Sequence, residues 1–257
     1  MSGSVRCRKD TQTAVAFLTT RVRYPDEDNW KKLRRLLQYI KGTLRLPRIL
    51  RADKMNVVKW WVDAAYALHH DMKSHTGATM SLGRGSVLSM SKKQKLNTKN
   101  STEAELVGAD DAVPQMLWTK YLFEAQGYGI DENIMYQDNL SAMLLEKNGK
   151  KSSTKNTKHI NVCYYFIKDR ILSGELSVQH CPTKQMLADH FTKLLQGEIF
   201  QKFRAELMNI PEDIDMSQMG WDGTGHPKGV TWKIHNKTDP ACPQECVGDY
   251  DGPSVFT

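Results

Sequence analysis

Four acidic residues stand where side chains of different elements can meet: Asp63, Glu105, Asp138 and Asp189. Asp63 lies in the nearly continuous apolar run 57–65, which is typical of a strand covered on both faces. A lone carboxylate in such a place is destabilising unless it is paired or bound to a metal ion. Crowded carboxylates repel one another, and Mg²⁺ prefers oxygen ligands while it keeps positions open for substrate phosphate. The four residues together therefore predict a site for a pair of Mg²⁺ ions.

Each of these carboxylates also has a structural interpretation when it is considered alone. Asp63 can be a polar residue at the end of a strand. Asp138 can cap the helix that follows it, and Asp189 can be a charge in the first turns of a helix. The residues taken one at a time leave these alternatives open.

The stretch STEAEL, residues 101–106, contains two glutamates, of which only one can face a sheet. At about 100° per residue, Glu105 shares its helix face with apolar side chains, whereas Glu103 falls on nearly the opposite side. The apolar members of that face are Ala109, Ala112, Val113, Met116 and Phe123. We therefore expect Glu105 to point inward. The alternative is a capping box, with Thr102 as the cap and Glu105 three residues later, and this motif alone favours a cap.

The elements that must position these residues follow from hydrophobic periodicity. Strands are predicted at 56–67, 77–83, 86–95, 133–138 and 175–181. Helices are predicted at 13–22, 24–43, 102–126, from 139 onward, 159–171 and 184–208. The first three strands follow one another with short connections, which indicates an antiparallel meander. The order of strands and helices along the chain predicts an α/β fold with a mixed five-stranded sheet and helices on both faces.

The chain divides into three predicted parts. Residues 1–50 form an N-terminal helical segment, and residues 51–210 form the α/β domain. Residues 211–257 are rich in Gly, Pro, Asp and Lys with few aliphatic side chains, so we expect an irregular, flexible tail. The tail contains His226, His235, Cys242 and Cys246, but their loose spacing does not favour a zinc site.

Composition narrows the class of protein. Thirty-six Lys and Arg against 29 Asp and Glu give a net charge of +7, which suits an anionic partner such as nucleic acid but also many other soluble proteins. The chain has neither an apolar run after Met1 nor a run of membrane-spanning length, so we expect neither secretion nor a membrane partner. Five scattered cysteines indicate a reducing compartment without a disulfide framework.

A series of motifs then resembles one family. "VDAAY", "SHTGATMSLG", "STEAEL", "YQDN", "NTKHIN" and "LADHFTK" occur in this order and closely resemble the ribonuclease H domain of copia-type retrotransposon Pol polyproteins, over about residues 54–210. The preceding stretch, from about residue 10, resembles the segment that connects the polymerase to ribonuclease H in those polyproteins. The Tyr-x-Asp-Asp motif of the polymerase itself has no counterpart here.

This resemblance implies a ribonuclease H-like fold and a specific chemistry. Asp63, Glu105, Asp138 and Asp189 would be the catalytic carboxylates and the ligands of two Mg²⁺ ions, with Mn²⁺ as a substitute and Asp63 bridging the ions. Water would cleave the RNA strand of an RNA/DNA hybrid endonucleolytically, with one ion activating the water and the other stabilising the leaving 3′ oxygen. The hybrid and the polymerase domain of the same polyprotein are the expected partners. The expected location is the cytoplasm, with retrotransposon particles or the nucleus as alternatives.

Two other functions are weighed against this one. A catalytically inactive, nucleic-acid-binding remnant of a truncated element is the first alternative, but all four carboxylates are present, which argues against it. An integrase core is the second. It is less favoured because its last acidic residue is normally a glutamate on a late helix, whereas the glutamate here lies on the first long helix.

The connection into the long helix is the predicted nucleic-acid contact. Its lysines would meet backbone phosphates, and its other polar residues would bind sugar hydroxyls and so help to distinguish RNA from DNA. The lysines are Lys92, Lys93, Lys95 and Lys99, and the polar residues are Asn97, Asn100 and Ser101. A second basic segment, with Lys150, Lys151, Lys155 and Lys158, is favoured as a solvated loop.

Histidines are the remaining chemical candidates. His180, in the loop that leads to Asp189, is predicted to pass a proton to the leaving group, with a structural role for it or for His159 as the alternative. The histidines after the first strand, His69, His70 and His75, are expected at the surface.

Overall fold

A computed structural model describes residues 7–148 and 158–210 of the chain. The predictions for Lys150, Lys151, Lys155 and the tail 211–257, including its His and Cys residues, lie outside the described residues. The same holds for the side chains of Lys158 and His159. No helix in the described ranges combines the length and the apolar character that crossing a membrane requires.

Two helices begin the described chain, five strands follow one another, and the remaining two strands are separated by helices. The strands are β1 (Arg51–Ala52), β2 (Val57–Ala65), β3 (His75–Ser81), β4 (Gly83–Arg84), β5 (Leu88–Lys93), β6 (Glu132–Gln137) and β7 (Ser177–His180). The helices are α1 (Gln12–Thr19), α2 (Glu27–Gly42), α3 (Ser101–Ala125), α4 (Leu140–Asn148), α5 (Lys158–Leu172), α6 (Asp189–Thr192) and α7 (Gly197–Met208). Short 3₁₀ turns precede α1 and α6.

The main sheet has five strands in the order β5-β3-β2-β6-β7. The pairs β2–β3 and β3–β5 are antiparallel, which confirms the predicted meander, and β2–β6 and β6–β7 are parallel. Strands β1 and β4 form a separate two-stranded ribbon. Because β2 and β6 run in the same direction, their carboxyl ends lie at the same edge of the sheet. Asp63 near the end of β2 and Asp138 just after β6 are therefore neighbours.

Side chains of β2 alternate between two packed layers. Val58, Trp60 and Val62 are fully buried and belong to a core cluster with Leu106 and Val113 of α3. The opposite face of the sheet is covered by the segment that carries α6, where Trp61 packs with Cys181, Met186 and Ala188. The mixed five-stranded sheet with helices on both faces confirms the predicted fold class.

The predicted last helix, 184–208, is wrong as a single element. Helix α6 is one turn long and ends at Thr192, because Lys193 adopts an extended backbone with φ −115° and ψ 141°. Helix α7 starts only at Gly197, whose φ of 63° is in the left-handed region that favours glycine. The residue that carries the fourth acidic side chain, Asp189, thus lies at the start of an isolated turn.

The N-terminal segment packs against this part of the domain through a buried polar network. Asp10, whose side chain is fully buried, forms an ion pair of 2.7 Å with Arg8 and accepts a hydrogen bond from the Tyr39 hydroxyl. Arg8 also donates to the backbone carbonyl of Thr43 at 2.9 Å. On α7, Arg204 donates to the Tyr39 hydroxyl at 3.3 Å. The segment just before α1 is therefore held to α2, and α2 to α7, by polar contacts, while the domain boundary at residue 50 stays a prediction.

Candidate functional site

Three of the predicted carboxylates converge at the edge of the sheet. Asp63 is 3 % exposed near the end of β2, Glu105 is 6 % exposed in the second turn of α3, and Asp138 is half-buried just after β6. One carboxylate oxygen of each residue lies within 4.8 Å of those of the other two. We call these three residues the acidic trio. Three elements that are distant in sequence thus place negative groups around one small volume.

Two glycines allow the surrounding elements to approach Asp63 closely. A Cβ on Gly108 of α3 would lie 3.2 Å from the Cβ of Ala64, so the absence of a side chain lets α3 pack tightly against β2. A Cβ on Gly77, the strand partner of Asp63, would lie 2.6 Å from the Cγ2 of Thr192. Gly77 therefore admits α6 against the other face of the sheet.

The helix caps are made by the neighbours of the trio residues. The Asn100 side chain caps α3 by accepting from the Glu103 backbone N–H at 2.8 Å, and the Glu103 carboxylate accepts from the Lys99 backbone N–H at 2.8 Å. The alternative in which Glu105 belongs to a capping box is therefore wrong, and the predicted inward direction of Glu105 is confirmed by its burial.

Asp138 is likewise free of the capping role that its position allows. The residue after it, Asn139, caps α4 by accepting from the backbone N–H groups of Ser141 and Ala142 at 3.0 and 3.1 Å. The Asp138 carboxylate accepts a hydrogen bond of 3.2 Å from the Thr183 hydroxyl instead. The interpretation of Asp138 as a helix cap is therefore wrong.

The surroundings of Glu105 disfavour a negative charge on its carboxyl group. Burial, followed by the charges of Asp63 and Asp138, raises the pKa of the Glu105 carboxyl well above its usual value. The Gln137 side-chain amide is 3.5 Å from Glu105 Oε2. A site that disfavours its own negative charge is a site that a bound cation would stabilise.

Asp189 joins the site through Asp63 and a lysine. Its carboxylate forms an ion pair of 2.7 Å with Lys193, and the same ammonium group is 3.9 Å from Asp63 Oδ2. The Thr192 hydroxyl donates to Asp63 Oδ2. Burial, followed by the charge of Asp63, raises the pKa of Asp189 to about 6. Asp189 is thus next to Asp63 but outside the acidic trio.

The predicted nucleic-acid residues run from the end of β5 to the start of α3. Lys92 forms an ion pair of 2.9 Å with Asp111, and Lys93 forms one of 2.7 Å with Asp71. The side chains of Lys95, Asn97, Lys99, Asn100 and Ser101 are exposed, and Asn100 also serves as the helix cap. The exposed members and the two paired lysines remain predicted contacts.

His180 is the last residue of β7 and is exposed. In the sheet it is the partner of Gln137, the residue before Asp138. This register places His180 beside the end of β6, which Asp138 of the trio follows. The role of His180 in proton transfer stays a prediction.

The expectation that His69 and His75 are surface residues is wrong. They are 3 % and 0 % exposed, because Phe17 of α1 stacks on both rings at centroid distances of 5.3 and 4.8 Å. His69 Nε2 is 3.0 Å from His75 Nδ1, and His75 Nε2 is 2.9 Å from the Ser91 hydroxyl, which donates to the Phe191 carbonyl. The two rings were missed because their cover comes from a helix distant in sequence.

Sequence reasoning also missed Thr192 and Lys193. Their signal is the stretch LADHFTK, in which threonine and lysine follow Asp189 by three and four residues. At helical spacing these positions share a face with Asp189. The ion pair between Asp189 and Lys193 follows from that spacing, whereas the contact of both residues with Asp63 depends on the packing of α6 against the sheet.

Sequence comparison relates the chain to large polyproteins of plants. It is 32 % identical over 202 residues to the retrovirus-related Pol polyprotein from transposon RE2 of Arabidopsis thaliana, and 29 % identical over 202 residues to that from transposon TNT 1-94 of Nicotiana tabacum. The match covers 78 % of this chain but only 14 and 15 % of these relatives. No protein-family model matches the chain. The resemblance to retrotransposon Pol polyproteins that the motifs predict is thereby confirmed.

Structure comparison finds ribonucleases H at low similarity. LC11-RNase H1, isolated from compost by a metagenomic approach, has a TM-score of 0.38 at 14 % identity and covers 53 % of this chain and 92 % of its own. The same enzyme in complex with an RNA/DNA hybrid also has a TM-score of 0.38, at 12 % identity over 52 % of this chain and 92 % of its own. RNase H1 of Halobacterium salinarum has a TM-score of 0.34 at 18 % identity and covers 52 % of this chain and 92 % of its own.

Proposed function

We propose that this chain, a homologue of one segment of the retrovirus-related Pol polyproteins of plant transposons, is a metal-dependent ribonuclease H that hydrolyses the RNA strand of RNA/DNA hybrids. The observation that carries the proposal is the acidic trio, whose carboxylate oxygens lie within 4.8 Å of one another. Asp63 and Asp138 of the trio lie at the carboxyl ends of β2 and β6, and the three trio residues belong to the motifs VDAAY, STEAEL and YQDN, in this order.

The donor set fits a hard divalent cation. All ligands on offer are carboxylate oxygens, which Mg²⁺ and Mn²⁺ prefer. Burial and the charges of Asp63 and Asp138 raise the pKa of Glu105, and a bound cation would stabilise its charged form. The acidic trio would hold one ion, and Asp63 with Asp189 would hold the second. When bound, such ions lower the pKa of a coordinated water and neutralise charge that develops on the phosphate.

Side chains around the trio would keep the carboxylates in place during the reaction. Asp63 is common to both proposed ion positions, and the Thr192 hydroxyl fixes one of its oxygens. The Thr183 hydroxyl does the same for Asp138. His180, exposed beside this strand end, would carry a proton to the leaving 3′ oxygen.

The connection before α3 would bind the hybrid. Exposed Lys95 and Lys99 would contact phosphates directly, and Asn97 would bind a sugar hydroxyl. Lys92 and Lys93 would exchange their partners Asp111 and Asp71 for phosphate, and the exchange costs little free energy because both ion pairs are partly exposed to solvent. The polymerase part of the same polyprotein is the proposed protein partner.

The test is cleavage of an end-labelled RNA/DNA hybrid by the purified chain with Mg²⁺, with EDTA and with the variant Asp138→Asn. Duplex DNA and duplex RNA serve as substrate controls. We expect cutting of the RNA strand of the hybrid alone, and its loss in EDTA and in the variant. Glu132→Gln is the matched control, because Glu132 is an exposed carboxylate at the opposite end of β6.

Absence of cleavage by a folded protein that binds the hybrid would contradict the proposal and favour the inactive remnant. Cleavage of duplex DNA at a similar rate would contradict the proposed substrate. Equal loss of activity in Glu132→Gln and Asp138→Asn would show that the result reflects charge or folding and not the trio.

A further inference from the structure

The predicted ligands of the second cation are already bridged by a cation of the chain itself. The Lys193 ammonium group is 2.7 Å from Asp189 Oδ1 and 3.9 Å from Asp63 Oδ2. The Asp63 and Asp189 carboxylates are 4 % and 11 % exposed, so the pair is shielded from water on the protein side, whereas the Lys193 side chain is 45 % exposed. A flexible positive group therefore lies between two buried negative groups and at the border with solvent.

The acidic trio includes Asp63 but not Asp189. Its three carboxylates meet without Asp189, so the four predicted ligands form two groups that share Asp63. Among the described residues, no lysine lies within hydrogen-bonding distance of the trio carboxylates. The pair of Asp63 and Asp189, in contrast, is bridged by the Lys193 ammonium group. A divalent ion between Asp63 and Asp189 would meet the ammonium group there, and two cations cannot occupy one such position.

From this geometry we propose that Lys193 is a tethered counter-ion that occupies the second cation position and must leave it before a divalent ion binds between Asp63 and Asp189. The inference rests on the proposed function in one respect, since it takes these two aspartates as metal ligands. It goes beyond that function because it makes the two ion positions unequal. The second position would bind its ion in competition with Lys193, which is 2.7 Å from Asp189, whereas the distance from Lys193 to the trio is longer, 3.9 Å to Asp63.

The local backbone supports such a movement. Lys193 follows the last residue of α6 and has an extended backbone, so its side chain is not packed inside a helix. The ion pairs of the Lys193 ammonium group with Asp189 and Asp63 place its positive charge where a divalent ion would bind. Loss of the competing charge would therefore strengthen the binding of a divalent ion.

The test counts ions on the protein without substrate, by titration with Mn²⁺ and measurement of the EPR signal of the free ion. We expect the wild type to bind one ion tightly and a second more weakly. Lys193→Met is expected to strengthen the weaker binding by roughly fivefold or more, as for loss of a partly exposed ion pair. Lys193→Arg keeps the charge and is expected to bind as the wild type does.

Two further variants localise the effect. Lys202→Met removes an exposed lysine that is four residues from its acidic partner, as Lys193 is, and that lies 4.0 Å from Glu206 on α7. This variant is expected to change the affinity for neither ion. Adding Asp189→Asn to Lys193→Met is expected to abolish the gain. Thermal unfolding with and without Mn²⁺ verifies that each variant is folded, and we expect a larger stabilisation by Mn²⁺ in Lys193→Met than in the wild type.

The outcomes separate this inference from the proposed function. Unchanged or weaker binding of the second ion in Lys193→Met, with the first ion still lost in Asp138→Asn, would overturn the role of Lys193 and leave the proposed function standing. Absence of any bound ion that depends on Asp138 would overturn the proposed function as well.

Discussion

The Thr13 hydroxyl donates a hydrogen bond to the backbone carbonyl of His190, the residue that follows Asp189. The single turn α6 is thereby held by α1 of the N-terminal segment and also by Ser91 of the sheet, which donates to the Phe191 carbonyl at 2.8 Å. A helix of one turn has few internal hydrogen bonds, so such outside contacts determine its position. The N-terminal segment thus contributes to placing a proposed metal ligand.

Thr13→Val is expected to weaken both the fold and the placement of Asp189. Loss of one buried hydrogen bond costs about 1 kcal/mol, and the His190 carbonyl is left without this donor. Urea unfolding measures the change in stability, and the Mn²⁺ titration measures the affinity for the second ion, which is expected to fall. Thr19→Val is the matched control, because the Thr19 hydroxyl bonds within α1 at an exposed position. Equal effects of the two variants on ion affinity would contradict the placement role.

The two glutamates of STEAEL are expected to differ in function. Glu105→Gln should reduce cleavage at least about a hundredfold, since it removes a carboxylate of the trio. Glu103→Gln should keep most of the activity and lose at most about 1 kcal/mol of stability, because the Glu103 carboxylate lies outside the trio and accepts a bond from the Lys99 backbone N–H. Cleavage rates and urea unfolding of both variants decide this. Comparable loss of cleavage in the two, or loss in Glu103→Gln alone, would contradict the assignment.

The sequence was sufficient for features that depend on local periodicity. The inward direction of Glu105 follows from helical spacing, and the sharing of an edge by Asp63 and Asp138 follows from the order of strands. The split of the last helix was missed because Leu194 and Leu195 continue an apolar pattern, whereas α6 is one turn long and Lys193 has an extended backbone. Contacts of α6 with Thr13 and Ser91, which are distant in sequence, hold that turn in place.

The buried histidines illustrate the same limit. His69 and His75 are polar residues in a stretch without a clear helix or strand period, and an exposed position was the natural expectation. Their burial depends on Phe17, which is more than fifty positions earlier in the chain. A single sequence contains no local signal for such a contact.

Binding of the divalent ions is expected to release protons and to weaken as the pH falls. The pKa of Glu105 is raised well above its usual value, and that of Asp189 is raised to about 6, so both carry protons over part of the acidic range, whereas ion binding requires carboxylates. Calorimetric titration with Mg²⁺ at pH 6 and 8, in two buffers of different ionisation enthalpy, measures the released protons. If Glu105→Gln and Asp189→Asn release as many protons on ion binding at pH 6 as the wild type does, the protons do not come from these two carboxyl groups.

Glu146 on α4 is expected to make stability depend on pH. Its side chain is fully buried, neither carboxylate oxygen has a hydrogen-bond partner among the described residues, and burial raises the pKa to about 8 from 4.5. A raised pKa in the folded state means that the contribution of the protonated group to stability is complete below pH 4.5. It is lost as the pH rises toward about 8, because the unfolded chain releases this proton and the folded chain retains it.

Glu146→Gln is therefore expected to be more stable than the wild type by a few kcal/mol at pH 8 and to differ little at pH 4.5. Urea unfolding at several pH values between these limits measures the difference. Glu132→Gln, at an exposed position, controls for the general effect of removing a negative charge and should follow the wild-type curve. If the difference in stability between the wild type and Glu146→Gln stays constant across this pH range, the expectation is contradicted. Glu146 would then be ionised in the folded protein and have a counter-charge.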